Sequence, residues 1–232
     1  MLGIPNTNGG VLRNAAITSV QFEEYIGGYM YVTGREIIPT QGRLQDAMAF
    51  VTTMTGSMNE KFNSNLAVSM EVGGNPNKLW ITAFWATLDD YQSFVEGYST
   101  DPTLQVGFNV ADSVVAEAQD QIGQVMRAPG ERKQFAQMNT GRIRHTRYAE
   151  GIEFAMNAGE TISSIAGTEL GIVTPITGDL YDINFVWYAD SLQGLKDLQD
   201  KLNASEEYQE LFANGSEFFE SKYESNIVMM VS

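Results

Sequence analysis

Two segments of the chain carry residue types at spacings that could do chemistry. In NTGRIRHTRY, Asn139 to Tyr148, strand alternation groups Thr140, Arg142, Arg144 and Thr146 on one face, against Gly141, Ile143, His145 and Arg147. In LYDINFVWY, Leu180 to Tyr188, the same parity groups Asp182, Asn184, Val186 and Tyr188, against Tyr181, Ile183, Phe185 and Trp187. If Ile143 and the Ile183 set pack beneath helices, Arg142 and Arg144 point the other way, towards Asp182 and Asn184. Buried guanidinium groups need such partners. One reading is a pocket for an anion or a carbonyl; the other is a structural Arg to Asp network that fills an interior. Arg35, in the TGR of Thr33 to Arg35, answers Arg142 in the TGR of Thr140 to Arg142 and carries the same two readings.

His145 is the chain's one histidine. It and Tyr188 are the candidate proton carriers, since imidazole suits neutral pH. A lone histidine with no visible carboxylate partner is also an ordinary surface or hydrogen-bonded residue. Among the tryptophans, Trp85 and Trp187 have the parity of core residues, which leaves Trp80 to stack on a ligand. Met48, Met54 and Met58 fall on one helical stripe, where methionine is a routine gap filler. No His, Asp and Glu spacing suggests a metal, and no phosphate-binding glycine loop, nucleophile elbow or zinc signature occurs.

The elements that would position these residues come in two copies. Adding 104 to positions from Leu88 onward sets Leu88 against Leu192, Gln105 against Gln209 and Phe108 against Phe212. Leu66, Val68, Met70 and Val72 match Leu170, Ile172, Thr174 and Ile176 at the same offset, and Trp85 meets Trp187 once two residues are inserted. Within each copy, period-2 runs read as strands and period-3.6 stripes as helices. In the first, YMYVTGREII is a strand and Leu44, Ala47, Met48, Val51, Thr55, Met58 and Phe62 form a helix stripe. Residues Asn65 to Val72 alternate, GGNPN turns into LWITAFWA, and Thr87 with Asp90 has the spacing of a capping box. Asp101-Pro102 opens a second helix with apolar face Leu104, Gly107, Phe108, Ala111 and Val115, and Ile122 to Met126 is a closing strand. The order is β-α-β-β-α-β, and the second copy repeats it. The predicted divisions are an N-terminal arm at 1–28, a first unit at 29–128, a linker at 129–137 and a second unit at 138–232.

The totals narrow the class. With 43% hydrophobic and 19% charged residues, the chain has the balance of a soluble globular protein. A net charge of -15 repels phosphate backbones and argues against nucleic acid as a partner. No run reaches the ~18 to 20 apolar residues of a membrane span, and the start lacks the basic and apolar regions of a secretory signal, so a cytoplasmic location is expected. The absence of cysteine excludes thiol catalysis and disulfides. Six of the fourteen basic residues, Arg127, Arg132, Lys133, Arg142, Arg144 and Arg147, cluster in one interval, the candidate anion site by composition.

The β-α-β-β-α-β order is the split ferredoxin-like pattern of an antiparallel sheet with helices on one face. At FWATLDDYQSFVEGYSTDPTLQ and VWYADSLQGLKDLQDKLNASEEYQ the chain resembles the dimeric α/β barrel superfamily, which includes NIPSNAP-type proteins, antibiotic-biosynthesis monooxygenases, muconolactone isomerases, EthD-like proteins and, as tandem fusions, chlorite dismutases. The resemblance implies an α+β fold in which two ferredoxin-like units pair their sheets into a barrel, within one chain or between chains. It implies a small-molecule-binding protein of the NIPSNAP or monooxygenase kind, a cofactor-free oxygenase or isomerase acting on a carbonyl compound. The pocket would be lined by Arg142, Arg144, Asp182, Asn184, Arg35 and Trp80, and a volume of about 300 Å³ or more would mark it as a ligand site. The haem of chlorite dismutases needs an axial histidine on a helix of the second unit, where this chain has none, so no cofactor is expected. A small-molecule ligand and a homo-oligomer are the expected partners, with no nucleic acid and no membrane. The reading from another class is a non-enzymatic assembly protein, a shell, filament or virion component whose N-terminal arm clasps its neighbours.

Overall fold

Chain segments rich in β-branched and aromatic residues become the strands, and the 3.6-residue stripes become helices that cover them on one side. The computed structural model describes residues 30–231; the predicted arm at 1–28 lies outside them. The first unit runs β1 (Met30–Pro39), α1 (Leu44–Phe62), β2 (Ala67–Gly73), β3 (Leu79–Trp85), α2 (Leu88–Thr100), α3 (Pro102–Ala111) and β4 (Val115–Arg127). The second repeats it as β5 (Phe135–Ile143), α4 (Tyr148–Ala166), β6 (Gly171–Pro175), β7 (Asp182–Ala189), α5 (Leu192–Asn203), α6 (Glu206–Gly215) and β8 (Phe219–Met230).

Helix starts follow the sequence signals. Thr87 and Asp90 form the reciprocal capping box of α2, Asp101 accepts from Thr103 and Leu104 N–H at the start of α3, and Ser191 and Ser205 cap α5 and α6. Two boundaries differ from the reading. Val115, placed on the apolar face of a helix, is the first residue of β4, which extends well beyond Ile122 to Met126. The linker is shorter than 129–137, because β5 already begins at Phe135.

All pairings among the eight strands are antiparallel, in the closed order β1-β3-β2-β8-β5-β7-β6-β4 and back to β1. Each unit contributes four adjacent strands, and the seams are β2 with β8 and β4 with β6. The barrel therefore closes within one chain. At the second seam the strands approach so closely that a Cβ on Gly123 would stand 2.5 Å from Val173 Cγ1 and 3.2 Å from the Thr174 carbonyl oxygen.

The apolar cores lie outside the barrel, between each sheet and its helices. Ile37, Ala47, Val51, Val68 and Leu79 fill one cluster beneath α1 and Met58, Ala83, Phe94 and Leu104 another, while Ile143, Ala155, Ile172 and Ile183 pack beneath α4. Trp187 joins Leu195 and Leu202 beneath α5. Both core indoles find acceptors: Trp85 Nε1 donates to Thr33 Oγ1 at 2.8 Å, and Trp187 Nε1 to Gln137 Oε1 at 3.2 Å. With the helix-facing parity of every strand spent on these cores, the opposite parity faces the barrel interior.

Candidate functional site

Among the described residues the interior is not filled. A cavity of about 160 Å³ lies between the two sheets. Trp80, Thr82 and Phe84 of β3 line it from one side and Asn184, Val186 and Tyr188 of β7 from the other, as the alternation in both strands requires. Its walls are mostly apolar, with a few polar groups. Among them are the Ser69 and Thr82 hydroxyls and Asn184, whose Oδ1 accepts from the Thr140 hydroxyl at 2.7 Å.

Tyr188 is 9% exposed, and burial pushes its phenol above the ordinary tyrosine value, so it stays a hydrogen-bond donor at neutral pH. The Arg132 guanidinium beside it offsets part of that rise. Arg132 also lies over the Phe84 ring, 5.8 Å from its centroid. The segment that carries Arg132 is anchored on both sides. Pro129 packs at Gly171, Lys133 pairs with Asp190 at 2.9 Å, and Gln134 donates to the Met230 carbonyl at 2.8 Å. One end of the cavity is thus built by β7, β3 and the linker together.

The other site residues expected from sequence are scattered. Arg142 has the inward parity and does meet Asp182, at 3.6 Å, but both sit at the opposite end of the barrel. Arg142 is held there by Asp179 and by Glu220 at 3.5 Å, a surface ion-pair network rather than a pocket. Six residues of strand separate Asp182 from Tyr188, roughly 20 Å. Arg144 and His145 are not on a strand at all. The chain turns after Ile143: Arg144 N–H donates to the Phe218 carbonyl, Arg147 N–H closes a turn on Arg144, and His145–Arg147 form a 3-10 turn that leads into α4. Arg144 is exposed and bonds the Ser216 carbonyl at 3.3 Å; His145 is exposed and packs edge-on against Tyr181. The two candidate proton carriers, His145 and Tyr188, are therefore not brought together.

Arg35 is corrected as well. Residue pairing with β3 and β7 makes Glu36, opposite Trp80, the counterpart of Arg142, opposite Asp182. The two TGR motifs are thus one residue out of step, and a one-residue step reverses the face. Arg35 points towards the helices and holds Asp120 with two bonds of 2.6 and 2.7 Å. Trp80, Asn184 and Tyr188 remain on the cavity wall. Arg132, beside Tyr188, lies in the linker, and its one signal in the sequence is membership of the basic interval.

No family model matches the chain, and no curated protein does. Solved structures do. A proposed monooxygenase from Fusobacterium nucleatum superposes with a TM-score of 0.65 at 8% identity, covering 88% of this chain and 94% of that one. An anthrone oxidase-like protein gives 0.60 at 10% identity, covering 90% and 93%, and the chlorite dismutase from Candidatus Nitrospira defluvii gives 0.56 at 10%, covering 91% and 95%. The fold is an α/β barrel closed within one chain from two ferredoxin-like units. At such identities the likeness carries the fold and not the chemistry.

Haem does not fit this barrel. The space between the second sheet and α4 is occupied by Ile143, Ala155, Ile172 and Ile183, and the chain's one histidine stands outside it. Among the described residues no cluster of three or more His, Asp or Glu side chains could hold a metal ion, and no helix is long and apolar enough to cross a membrane.

Proposed function

We propose that this chain is a small-molecule-binding protein and that the ligand sits inside the barrel, between Trp80 and Phe84 on one sheet and Val186 and Tyr188 on the other. The observation that carries the reading is the mostly apolar cavity between the sheets, with a protonated phenol at one end. A core whose only task was stability would be packed to the density of the rest of the interior. The volume is about half of the 300 Å³ expected of a drug-sized pocket. A dry apolar cavity of about 150 Å³ nevertheless suffices for benzene, so the occupant is of single-ring size. In chemistry of the cofactor-free isomerase or oxygenase kind, Tyr188 would be the proton donor to an oxygen of the ligand and Trp80 its stacking surface. The Arg142, Arg144 and His145 set stands too far away to take part.

The assembly reading rested on the arm at 1–28, outside the described residues, and nothing in the described barrel adds to it.

The test is a titration with neutral single-ring probes, toluene and phenol, read by tryptophan emission and by melting temperature. At ten times its Kd a probe stabilises the protein by about 1.4 kcal/mol. Val186→Phe, which puts a ring into the cavity, is expected to abolish the response while the protein stays folded. An unchanged response in that variant would place the binding elsewhere.

A further inference from the structure

The basic interval holds one cation whose surroundings are unlike those of its neighbours. In a chain with 29 acidic residues against 14 basic ones, Arg127, Lys133, Arg142 and Arg147 each have a carboxylate within 4 Å. Arg144 bonds a backbone carbonyl. Arg132 alone in this interval has neither a carboxylate nor a carbonyl partner among the described residues. It is half-buried, lies on the face of Phe84 and stands beside the Tyr188 hydroxyl, and both of those residues line the cavity.

A guanidinium taken partly out of water gains from an anion in its plane, and with a ring on its face the in-plane N–H groups can meet both the Tyr188 oxygen and such an anion. The Tyr188 phenol beside it is neutral and can donate. Cation and phenol together match the two oxygens of a carboxylate, one met by the charged fork and the other by O–H. Beyond them the walls are Trp80, Val186 and Phe84, which suit a flat apolar body and offer no second charge.

We propose that the barrel takes a small apolar carboxylic acid of single-ring size as its anion, with the carboxylate on Arg132 and Tyr188 and the ring between Trp80 and Val186. The inference rests on the proposed function and deepens it. It also accounts for an arginine that has no carboxylate among the described residues of so acidic a protein. The linker is then part of the site, and the cavity is polar at that end because an acid's head group belongs there.

Benzoate and toluene separate the two proposals, since they share a ring and differ in the carboxylate. Both are titrated by calorimetry and tryptophan emission into the full-length wild type, Arg132→Gln, Arg132→Lys and Val186→Phe. The expected result is a benzoate affinity at least about tenfold above that of toluene in the wild type, the return of a charge-assisted hydrogen bond. Arg132→Gln removes that preference but keeps toluene binding, which also shows that the variant is folded. Arg132→Lys keeps part of it. Equal affinities in the wild type, or a benzoate affinity indifferent to Arg132→Gln, would overturn the acid and leave the small-molecule reading standing. If neither probe bound, both proposals would fall. Benzoate binding that survives Val186→Phe would put the acid on the surface and overturn this site.

Discussion

Asp182 shows how two carboxylates three residues apart take opposite roles. Asp179 accepts from Arg142 and from the Tyr181 N–H, and those bonds hold its carboxyl below the usual carboxylate range. Asp182, further into the barrel mouth, is pushed up by burial and by the charge of Asp179, with Arg142 offsetting only part. A depressed carboxylate stabilises the fold above its unfolded value and loses that contribution as pH falls. A raised one does the reverse, so ionised Asp182 costs stability at neutral pH and the cost disappears in acid. Asp182→Asn is therefore expected to stabilise the protein at pH 7, by no more than about 1 kcal/mol for so accessible a group, and so to raise its melting temperature. The gain should shrink to nothing near pH 3. Asp179→Asn should lower it at pH 7. Melts of the three proteins at both pH values give the comparison, and a destabilised Asp182→Asn at pH 7 would mean that the ion pair with Arg142 dominates instead.

At the scale of elements, close backbone approaches fix the cavity's polar end. An added Cβ on Gly171 would lie 2.7 Å from the Pro129 Cβ and 3.0 Å from its N and Cα, so the linker cannot keep its path. Gly171→Ala is expected to destabilise the barrel by about 1 to 3 kcal/mol, as overpacking does, and to weaken benzoate more than toluene because Arg132 moves with Pro129. Urea unfolding and the same titrations check both halves of that statement. Thr87→Ala should cost about 1 kcal/mol through the lost cap of α2 and leave binding untouched.

Elements of this kind were legible where the pattern was local. The alternation in LYDINFVWY put Ile183 and Trp187 under helices and Asn184 and Tyr188 inside, because a paired strand has no other way to arrange them. In NTGRIRHTRY the alternation runs on past Ile143, although the chain there turns to meet the Phe218 carbonyl, a partner 74 positions away that no local pattern encodes. The TGR repeat misled for a related reason: register is set by pairing with β3 and β7, and identical letters one position apart face opposite ways. Arg132 was beyond reach because a linker's place is decided only when the barrel closes.

As a whole molecule, the two units are not independent domains. Each keeps its helix-side core, but the interior face of each sheet is covered by the other, and the seams β2 with β8 and β4 with β6 supply backbone hydrogen bonds that neither half can make alone. Unfolding in urea should follow one transition by fluorescence and by circular dichroism alike. Cleavage within the 128–134 connection should leave the halves associated on a sizing column, whereas separation into two folded halves would contradict a shared interior. The shared interior is also where the two copies have diverged. Thr82 and Phe84 in one stand where Asn184 and Val186 stand in the other, so the two walls of the cavity differ.

The central claim is that the space between the sheets is a real cavity able to hold a ligand. A crystal structure determined under xenon pressure tests it most directly, since xenon enters dry apolar cavities of this size. The account predicts a xenon atom inside the barrel, between Trp80 and Val186, with Arg132 stacked on Phe84 beside Tyr188. An interior without xenon, with Trp80 or Tyr188 turned to fill the space, would contradict it.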